Sequence, residues 1–381
     1  MTEHSFALHG VGSGRCRDTD REVPVRALVY LGPGSVELQE RPAPRVGADD
    51  DVVVKVVGTG ICGTDRKILL GRFPARPGVV LGHESVGLVQ EVGAGVRSLA
   101  VGDRVVVNPT LYCGWCVPCM RGATNFCRNK AGTEVGVDRD GTYADGVVLP
   151  ERFVRRVPGG MPFRGAVLIE PLACVLNNVR AAGLTVDDTV TVLGAGPIGM
   201  LVALVAARTA RRVTVAETDD YRLSRARDLF AHVVDVSRTD AAEALVKASG
   251  GERPGVVFDT TGSGLDDALR LVDDGGRVVL MGFDDSYSVP LRPLQLTNRG
   301  IRLIGAGDFR GDTFPVAVDL AGGLGLERLV THEFPLEAYE DALGALGGVG
   351  REGAGGRYDA MKVVIRSDTG PAGADGWPVG A

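Results

Sequence analysis

Four cysteines, Cys113, Cys116, Cys119 and Cys127, stand in a CxxCxxCx7C run, with Gly114, Pro118 and Gly122 turning the chain between them. Four soft thiolates on so short a loop can close a tetrahedron around Zn2+, and four protein ligands leave no coordination position open. Such a site holds a loop in shape and performs no chemistry. Two disulfides are the other use for four clustered cysteines, and a reducing compartment disfavours them.

A second set of donors is scattered along the chain. Cys62 lies in Gly60-Ile61-Cys62-Gly63-Thr64-Asp65, His83 stands between Gly82 and Glu84, and Glu170 lies in Ile169-Glu170-Pro171-Leu172. Taken together, Cys62, His83 and Glu170 offer two anionic ligands and one neutral imidazole, which cancel the charge of Zn2+ and leave a fourth place for water or substrate. That is a catalytic arrangement. Taken singly, each has a plainer role: Cys62 as a small buried side chain, His83 as a satisfied turn histidine, Glu170 as an acid at a helix N-terminus.

A third constellation is Gly194-Ala195-Gly196-Pro197-Ile198-Gly199, preceded by an apolar strand over 189–193 and followed by an Ala-rich apolar stretch. That context is what a dinucleotide-binding GxGxxG turn requires. Gly194 permits the tight turn, Gly196 admits a pyrophosphate, Gly199 lets the helix pack on its strand, and the helix N-terminus supplies positive partial charge. Glu217, closing a strand over 213–217, stands where a carboxylate accepts hydrogen bonds from the adenosine ribose and repels a 2′-phosphate, so NAD is expected rather than NADP. Arg222 is near enough to cap the ribose edge or to pair with a phosphate. Glycines that merely form a tight turn in a doubly wound protein are the plainer alternative.

These groups need elements to hold them, and the chain supplies two textures. Between residues 25 and 170, short β segments at 26–30, 51–58, 84–92, 104–108 and 143–149 are separated by Gly, Pro and Asp, an all-β pattern with inserted loops. After Pro171, five-residue apolar strands at 189–193, 213–217, 256–259, 277–281 and 301–304 alternate with helical stretches, the rhythm of a parallel sheet. Beyond residue 311 come a helix over 313–322, a segment near 329–334, a helix over 336–346 and a closing strand over 361–365. Residues 1–24 and 367–381 are expected to be poorly ordered ends. At 381 residues, two domains and a cleft between them are expected.

Composition narrows the partners. The net charge is −6 with both signs mixed along the chain, which offers no basic field to a phosphate backbone, so nucleic acid is not expected. The apolar run over 198–207 is half of what a bilayer crossing requires, and residues 1–24 lack the continuous apolar stretch of a secretory signal. No membrane partner and a cytoplasmic location are the expectation.

In this order, the motifs resemble the zinc-containing medium-chain alcohol dehydrogenase family, especially its sorbitol and glucose dehydrogenase branch, over roughly residues 25–366. The resemblance implies a GroES-like, β-rich catalytic domain over 25–174 carrying both zinc sites and a doubly wound Rossmann domain over 175–310. Residues 311–366 would return to the catalytic domain. It implies one catalytic Zn2+ held by the residues matching Cys62 and His83, with Glu170 where ethanol-type relatives place a cysteine, and one structural Zn2+. Glu84 matches an acid beside the metal, Asp65 the carboxylate that orients the zinc-bound histidine, and Thr64 the hydroxyl that passes the substrate proton on. Lys67 departs from the pattern by replacing a histidine that ends the proton relay, and an ordinary surface lysine is the plainer expectation for it. The segment from Glu134 and Asp138 through Asp140 to Asp145 is similar to one that lines a polyol pocket.

The implied activity is oxidation of a secondary hydroxyl on a polyol, sugar or cyclitol, with zinc as Lewis acid and NAD as hydride acceptor. The implied assembly is a homodimer or homotetramer, formed partly through the strand at 301–304. An amino-alcohol (threonine-type) or primary-alcohol dehydrogenase is the nearest alternative and a non-catalytic NAD-binding protein a more distant one, while the zinc donors argue against a zinc-free quinone reductase. Asp308 and Arg310, after the last sheet strand, are candidates for substrate hydroxyls. His232, His332, Cys16 and Cys174 have no motif around them.

Overall fold

Valine is the commonest residue in the sheets of this protein, whose computed structural model describes residues 23–347, 358–367 and Trp377. Runs such as DVVVKVVGTG put β-branched side chains on both faces of a strand, which favours extended backbone and burial on both sides. An antiparallel hairpin, β1 (Val25–Gly32) and β2 (Ser35–Arg41), precedes the first large sheet. That sheet is built from β3 (Asp51–Gly60), β4 (Glu84–Val92), β5 (Arg104–Val107), β6 (Gly146–Pro150) and β7 (Val154–Arg156).

The parallel sheet follows, with β8 (Thr189–Leu193), β9 (Arg212–Glu217), β10 (Val233–Asp235), β11 (Val256–Asp259), β12 (Arg277–Leu280) and β13 (Arg302–Ile304). Its order is β10-β9-β8-β11-β12-β13, every pair parallel. β8 and β11 are spatial neighbours, so the winding reverses between them, and a crevice opens beyond their carboxyl ends. The last strands, β14 (Val330–Pro335) and β15 (Lys362–Arg366), leave this sheet and join the first, whose order is β14-β15-β3-β4-β5-β7 with β6 also on β3. The fold is therefore a GroES-like, β-rich unit joined to a doubly wound, Rossmann-type α/β unit.

The helix Ile169–Ala182 ties the two sheets together. Leu172, Ala173, Val175 and Leu176 on it share one buried core with Val57, Val86 and Val106 of the first sheet and with Val190, Val215 and Phe258 of the second. Truncating a fully buried leucine there, such as Leu172 to Ala, costs about 2–5 kcal/mol. A helix held on several sides in this way presents its first turn, which carries Glu170, in a fixed place.

Several expectations need correction. The first half is not purely β: the short helix Gly63–Leu69 interrupts it, and its amphipathic signal is only two turns long. β2, β7 and β10 were not anticipated, being largely polar or only three residues long. The helix expected over 336–346 is a 3-10 turn, Leu336–Ala338, followed by Tyr339–Ala345. Within the end expected to be poorly ordered, Ser367 and Trp377 are buried, and the Trp377 indole packs against Phe163 and donates to Glu333. An indole buries enough apolar surface to hold its own place in the core. Most of residues 1–24 and 367–381 lie outside the described residues.

Candidate metal and dinucleotide cleft

The same hydrogen bonds that start the helix Gly63–Leu69 fix the first metal donor. Cys62 is its N-cap, with the Thr64 amide donating to Cys62 Sγ at 3.4 Å while Asp65 Oδ2 accepts from the Cys62 amide at 2.9 Å. This is a capping box with sulfur in the place of a hydroxyl. Asp65 is buried, its Oδ2 also accepts from the Tyr143 hydroxyl at 2.7 Å, and its Oδ1 lies 3.7 Å from His83 Nδ1. A carboxylate on the Nδ1 side leaves Nε2 as the donor available to a metal. Burial pushes the Tyr143 phenol well above its usual range, so it stays a hydrogen-bond donor.

Glu84 opens β4 directly after His83 and is buried. Its carboxylate pairs with the equally buried Lys362 of β15, whose ammonium also donates to the Ile61 carbonyl at 2.9 Å. Gly60 sits against both, and a β-carbon there would collide with them. Among the described residues, Cys62, His83 and Glu84 bring their ligand atoms within 4.8 Å of one another. Glu170 lines the same cleft but falls outside that circle. Glu84 is tied to His83 by one peptide bond, whereas Glu170 arrives on a separate helix. Burial pushes the Glu170 carboxyl up to about 8; His83 and Lys362 oppose that rise, and Glu84 and Glu134 add to it.

The four-cysteine loop is a separate constellation. All four sulfurs lie within 4.8 Å of one another, with Cys113 and Cys119 4.0 Å apart and Cys116 and Cys127 3.9 Å apart. A Zn–S bond of about 2.3 Å gives tetrahedral edges of about 3.8 Å, whereas a disulfide needs about 2.05 Å. The amides of Cys113 and Asn129 donate to Cys127 Sγ and that of Cys116 to Cys113 Sγ, each at 3.4 Å. Burial resists ionisation of Cys113, yet the surrounding N–H groups bring its thiol down to about 6, while burial pushes Cys119 up to about 12. The donor set fits a four-coordinate Zn2+, and Cys62 with His83 and a carboxylate fits a three-ligand one.

The glycine turn follows β8. Gly194 adopts a φ of +95°, and a β-carbon on Gly199 would strike the Gly194 carbonyl oxygen, so only glycine allows the helix Pro197–Ala206 to start so close to its strand. Gly196 is the N-cap and Pro197 the first helical residue. Glu217 ends β9 but does not line the cleft. It is buried, and its carboxylate accepts from the amides of Ala195 at 2.8 Å, Thr218 at 2.6 Å and Asp219 at 3.0 Å. Arg222 does line the cleft, with its guanidinium 3.5 Å over the Tyr358 ring.

One cleft of about 1190 Å3 is bordered by both constellations, by Cys62, Thr64, His83, Glu84 and Glu170 and by Gly196, Pro197, Ile198, Gly199 and Arg222. Lys67 is on this wall too, half-buried, with its ammonium 3.7 Å over the Phe283 ring rather than free in solvent. Asp308 reaches the cleft, whereas Arg310 does not line it and pairs with Asp312 at 3.3 Å. His332 bonds Thr331 and stacks on Phe334, away from the cleft. Reasoning from sequence missed Lys362, although a lysine inside the apolar strand MKVVI is a signal for a buried ion pair.

Comparison with known proteins gives the family of the chain. Residues 48–159 match the family model described as the alcohol dehydrogenase GroES-like domain, and residues 197–322 match the one described as zinc-binding dehydrogenase. The chain is 32% identical to D-arabitol-phosphate dehydrogenase of Enterococcus avium over 77% of its length and 86% of that protein's. It superposes with a TM-score of 0.82 on a zinc-binding dehydrogenase of Sinorhizobium meliloti bound to NADP, at 30% identity over 90% of this chain and 99% of that one. The rspB alcohol dehydrogenase of Escherichia coli CFT073, complexed with NADH, gives a TM-score of 0.80 at 30% identity, with the same coverage.

Proposed function

The chain belongs to the zinc-binding alcohol dehydrogenase family, and from that premise we propose that it oxidises a secondary hydroxyl of a polyol, sugar or cyclitol, with NAD as hydride acceptor. The observation that carries this is the single cleft bordered by the Cys62, His83 and Glu84 donors and by the glycine turn. Hydride transfer needs both within reach of one substrate.

When bound, the zinc supplies a Lewis acid that lowers the pKa of a coordinated hydroxyl, and the dinucleotide supplies the acceptor. Cys62 and His83 would hold the metal. Glu84 is the acid favoured for the third place by its position and Glu170 the one favoured by the resemblance. Asp65, 3.7 Å from His83 Nδ1, would orient that ring, Tyr143 donates to Asp65, and Lys362 balances the Glu84 charge. Thr64 is the hydroxyl on the cleft wall suited to take the substrate proton. Lys67, with its charge on an aromatic face, is poorly placed to end a relay.

One relative of known structure is bound to NADP and another is complexed with NADH. In this chain Glu217 braces the glycine turn through the Ala195 amide, and its negative charge opposes a 2′-phosphate. NAD is therefore the expected partner, with Gly194, Gly196, Pro197, Ile198, Gly199 and Arg222 around it. Residues 25–174 and 311–366 would act as the catalytic unit and 175–310 as the dinucleotide unit. A homodimer or homotetramer in the cytoplasm fits the open edge of β13 and the exposed Trp115, Met120 and Phe126 on the four-cysteine loop. Among the described residues, no helix is long and apolar enough to cross a membrane.

The test is a panel of polyols, aldoses, inositols, L-threonine and primary alcohols, each with NAD and with NADP. Reduction of NAD by members of the first three groups is expected. Preference for L-threonine or a primary alcohol would overturn the substrate assignment, and preference for NADP the cofactor assignment.

A further inference from the structure

The cleft that holds the metal donors also has a polar wall that the chemistry above does not use. Lys130 and Glu134 follow the four-cysteine loop and Asp308 follows β13, and all three line the cleft. The Lys130 ammonium lies 3.1 Å from Glu134 Oε2 and is bonded to Asp308 Oδ2, while the Thr110 hydroxyl donates to Glu134 Oε1 at 3.1 Å. Glu134 is near enough to His83 and Glu170 for their charges to be felt on one another.

The wall is also braced from behind. Asn125 and Asn177 both donate to the Ala306 carbonyl, at 3.1 and 3.0 Å, Asn177 to that of Asp308 at 2.5 Å, and Asn178 to that of Gly307 at 3.2 Å. These carbonyls, with that of Cys174, fix which end of the Asn178 amide is nitrogen. Asn178 is only 3% exposed and on the cleft lining, and its Oδ1 is left without a hydrogen-bond partner among the described residues. A buried acceptor left unmatched beside an open cleft calls for a donor from outside the chain.

We propose that Glu134, Asp308 and Asn178 form the hydroxyl-recognising wall of the cleft, and that Lys130 restricts it to substrates that are polyhydroxylated and uncharged. The proposal rests on the dehydrogenase activity assigned above and narrows its substrate. Carboxylate and amide oxygens accept from hydroxyls neighbouring the reacting carbon. Lys130 fills the place between the carboxylates where an ammonium would sit, which excludes an amine. With its charge spent on two acids, it has none to offer a phosphate or carboxylate, and those acids repel either.

The test uses the zinc-loaded full chain and four probes: a neutral pentitol, its monophosphate, its mono-amino analogue, and butan-2-ol, which carries a secondary hydroxyl without hydroxylated neighbours. Wild type should favour the neutral pentitol over both charged forms by about tenfold or more in kcat/KM. Asp308→Ala should lower kcat/KM for the pentitol about 10- to 100-fold while leaving butan-2-ol within about threefold. Lys130→Met should raise the amino analogue relative to the pentitol by about tenfold, a gain that a misfolded protein cannot produce. A wild-type preference for the phosphate, equal losses on pentitol and butan-2-ol in Asp308→Ala, or unchanged amine selectivity in Lys130→Met would each overturn the wall. A wild type inactive on all four probes would instead sink the dehydrogenase assignment beneath it.

Discussion

The four-cysteine loop and the cleft donors apply the same ligand chemistry in opposite ways. The loop gathers Cys113, Cys116, Cys119 and Cys127 from one short stretch and aims backbone amides at their sulfurs. Those amides belong to the loop itself, and Trp115 and Met120 beside them are exposed. The cleft draws Cys62 from a helix cap, His83 and Glu84 from the start of a strand and Glu170 from another helix, then steadies them with Asp65, Tyr143 and Lys362. A site closed by four ligands needs nothing beyond its own loop. The one that keeps a place open draws its donors here from elements distant in sequence, and side chains from still other elements hold those donors in place.

The sharpest way to break that comparison is to remove one sulfur from each site. Cys62→Ser should lower kcat by about a thousandfold or more, since Lewis-acid stabilisation is worth several kcal/mol. Elemental analysis should still find one zinc per chain, and NADH binding by fluorescence should be unchanged. Near-normal turnover in the variant would end the assignment of this cleft as the reaction centre. The corresponding Cys113→Ser should do the reverse, losing the loop's zinc and several degrees of melting temperature at about 2–4 °C per kcal/mol, with the cleft metal still bound.

Between those extremes stands the identity of the third cleft ligand. Glu84→Gln strands Lys362 as a lone buried charge, at a cost of about 3–5 kcal/mol. The double variant Glu84→Gln with Lys362→Met removes that penalty, so its melting temperature should recover while its cleft zinc does not. Glu170→Gln should keep the metal. Zinc titrations on the two proteins decide it, and loss of metal from Glu170→Gln alone would return the third place to Glu170.

The same contrast explains what the sequence disclosed. The four-cysteine site is legible because all its geometry lies within one loop, so spacing alone implies proximity. The glycine turn is legible for the same reason, with strand, turn and helix contiguous. That Cys62 and His83 converge was suggested by residue type and family resemblance, but which acid joins them depends on how the helix Ile169–Ala182 lies on the first sheet. Glu217 shows the limit from the other side: its place at the end of β9 was readable, but its commitment to three backbone amides was not. Lys362 and Trp377 were missed because each is stabilised by partners far away in the chain.

The mildest prediction opposes the two sites in pH. In the metal-free protein, the Glu170 carboxyl stands near 8 against about 4.5 for an ordinary glutamate, so between those values the folded state binds a proton that the unfolded chain releases. Its contribution therefore falls as pH rises through that window. Cys113 runs the other way: its folded thiol stands near 6 against about 9 in an unfolded chain, so its contribution grows as pH rises from about 6 to about 9. Melting curves of metal-free wild type, Glu170→Gln and Cys113→Ser between pH 6 and 8 isolate each slope by difference. Removing Glu170 should make stability rise more steeply with pH, and removing Cys113 should make it rise less. Slopes that change in the same direction would mean that the two donor sets do not differ in how the fold charges them before a metal arrives.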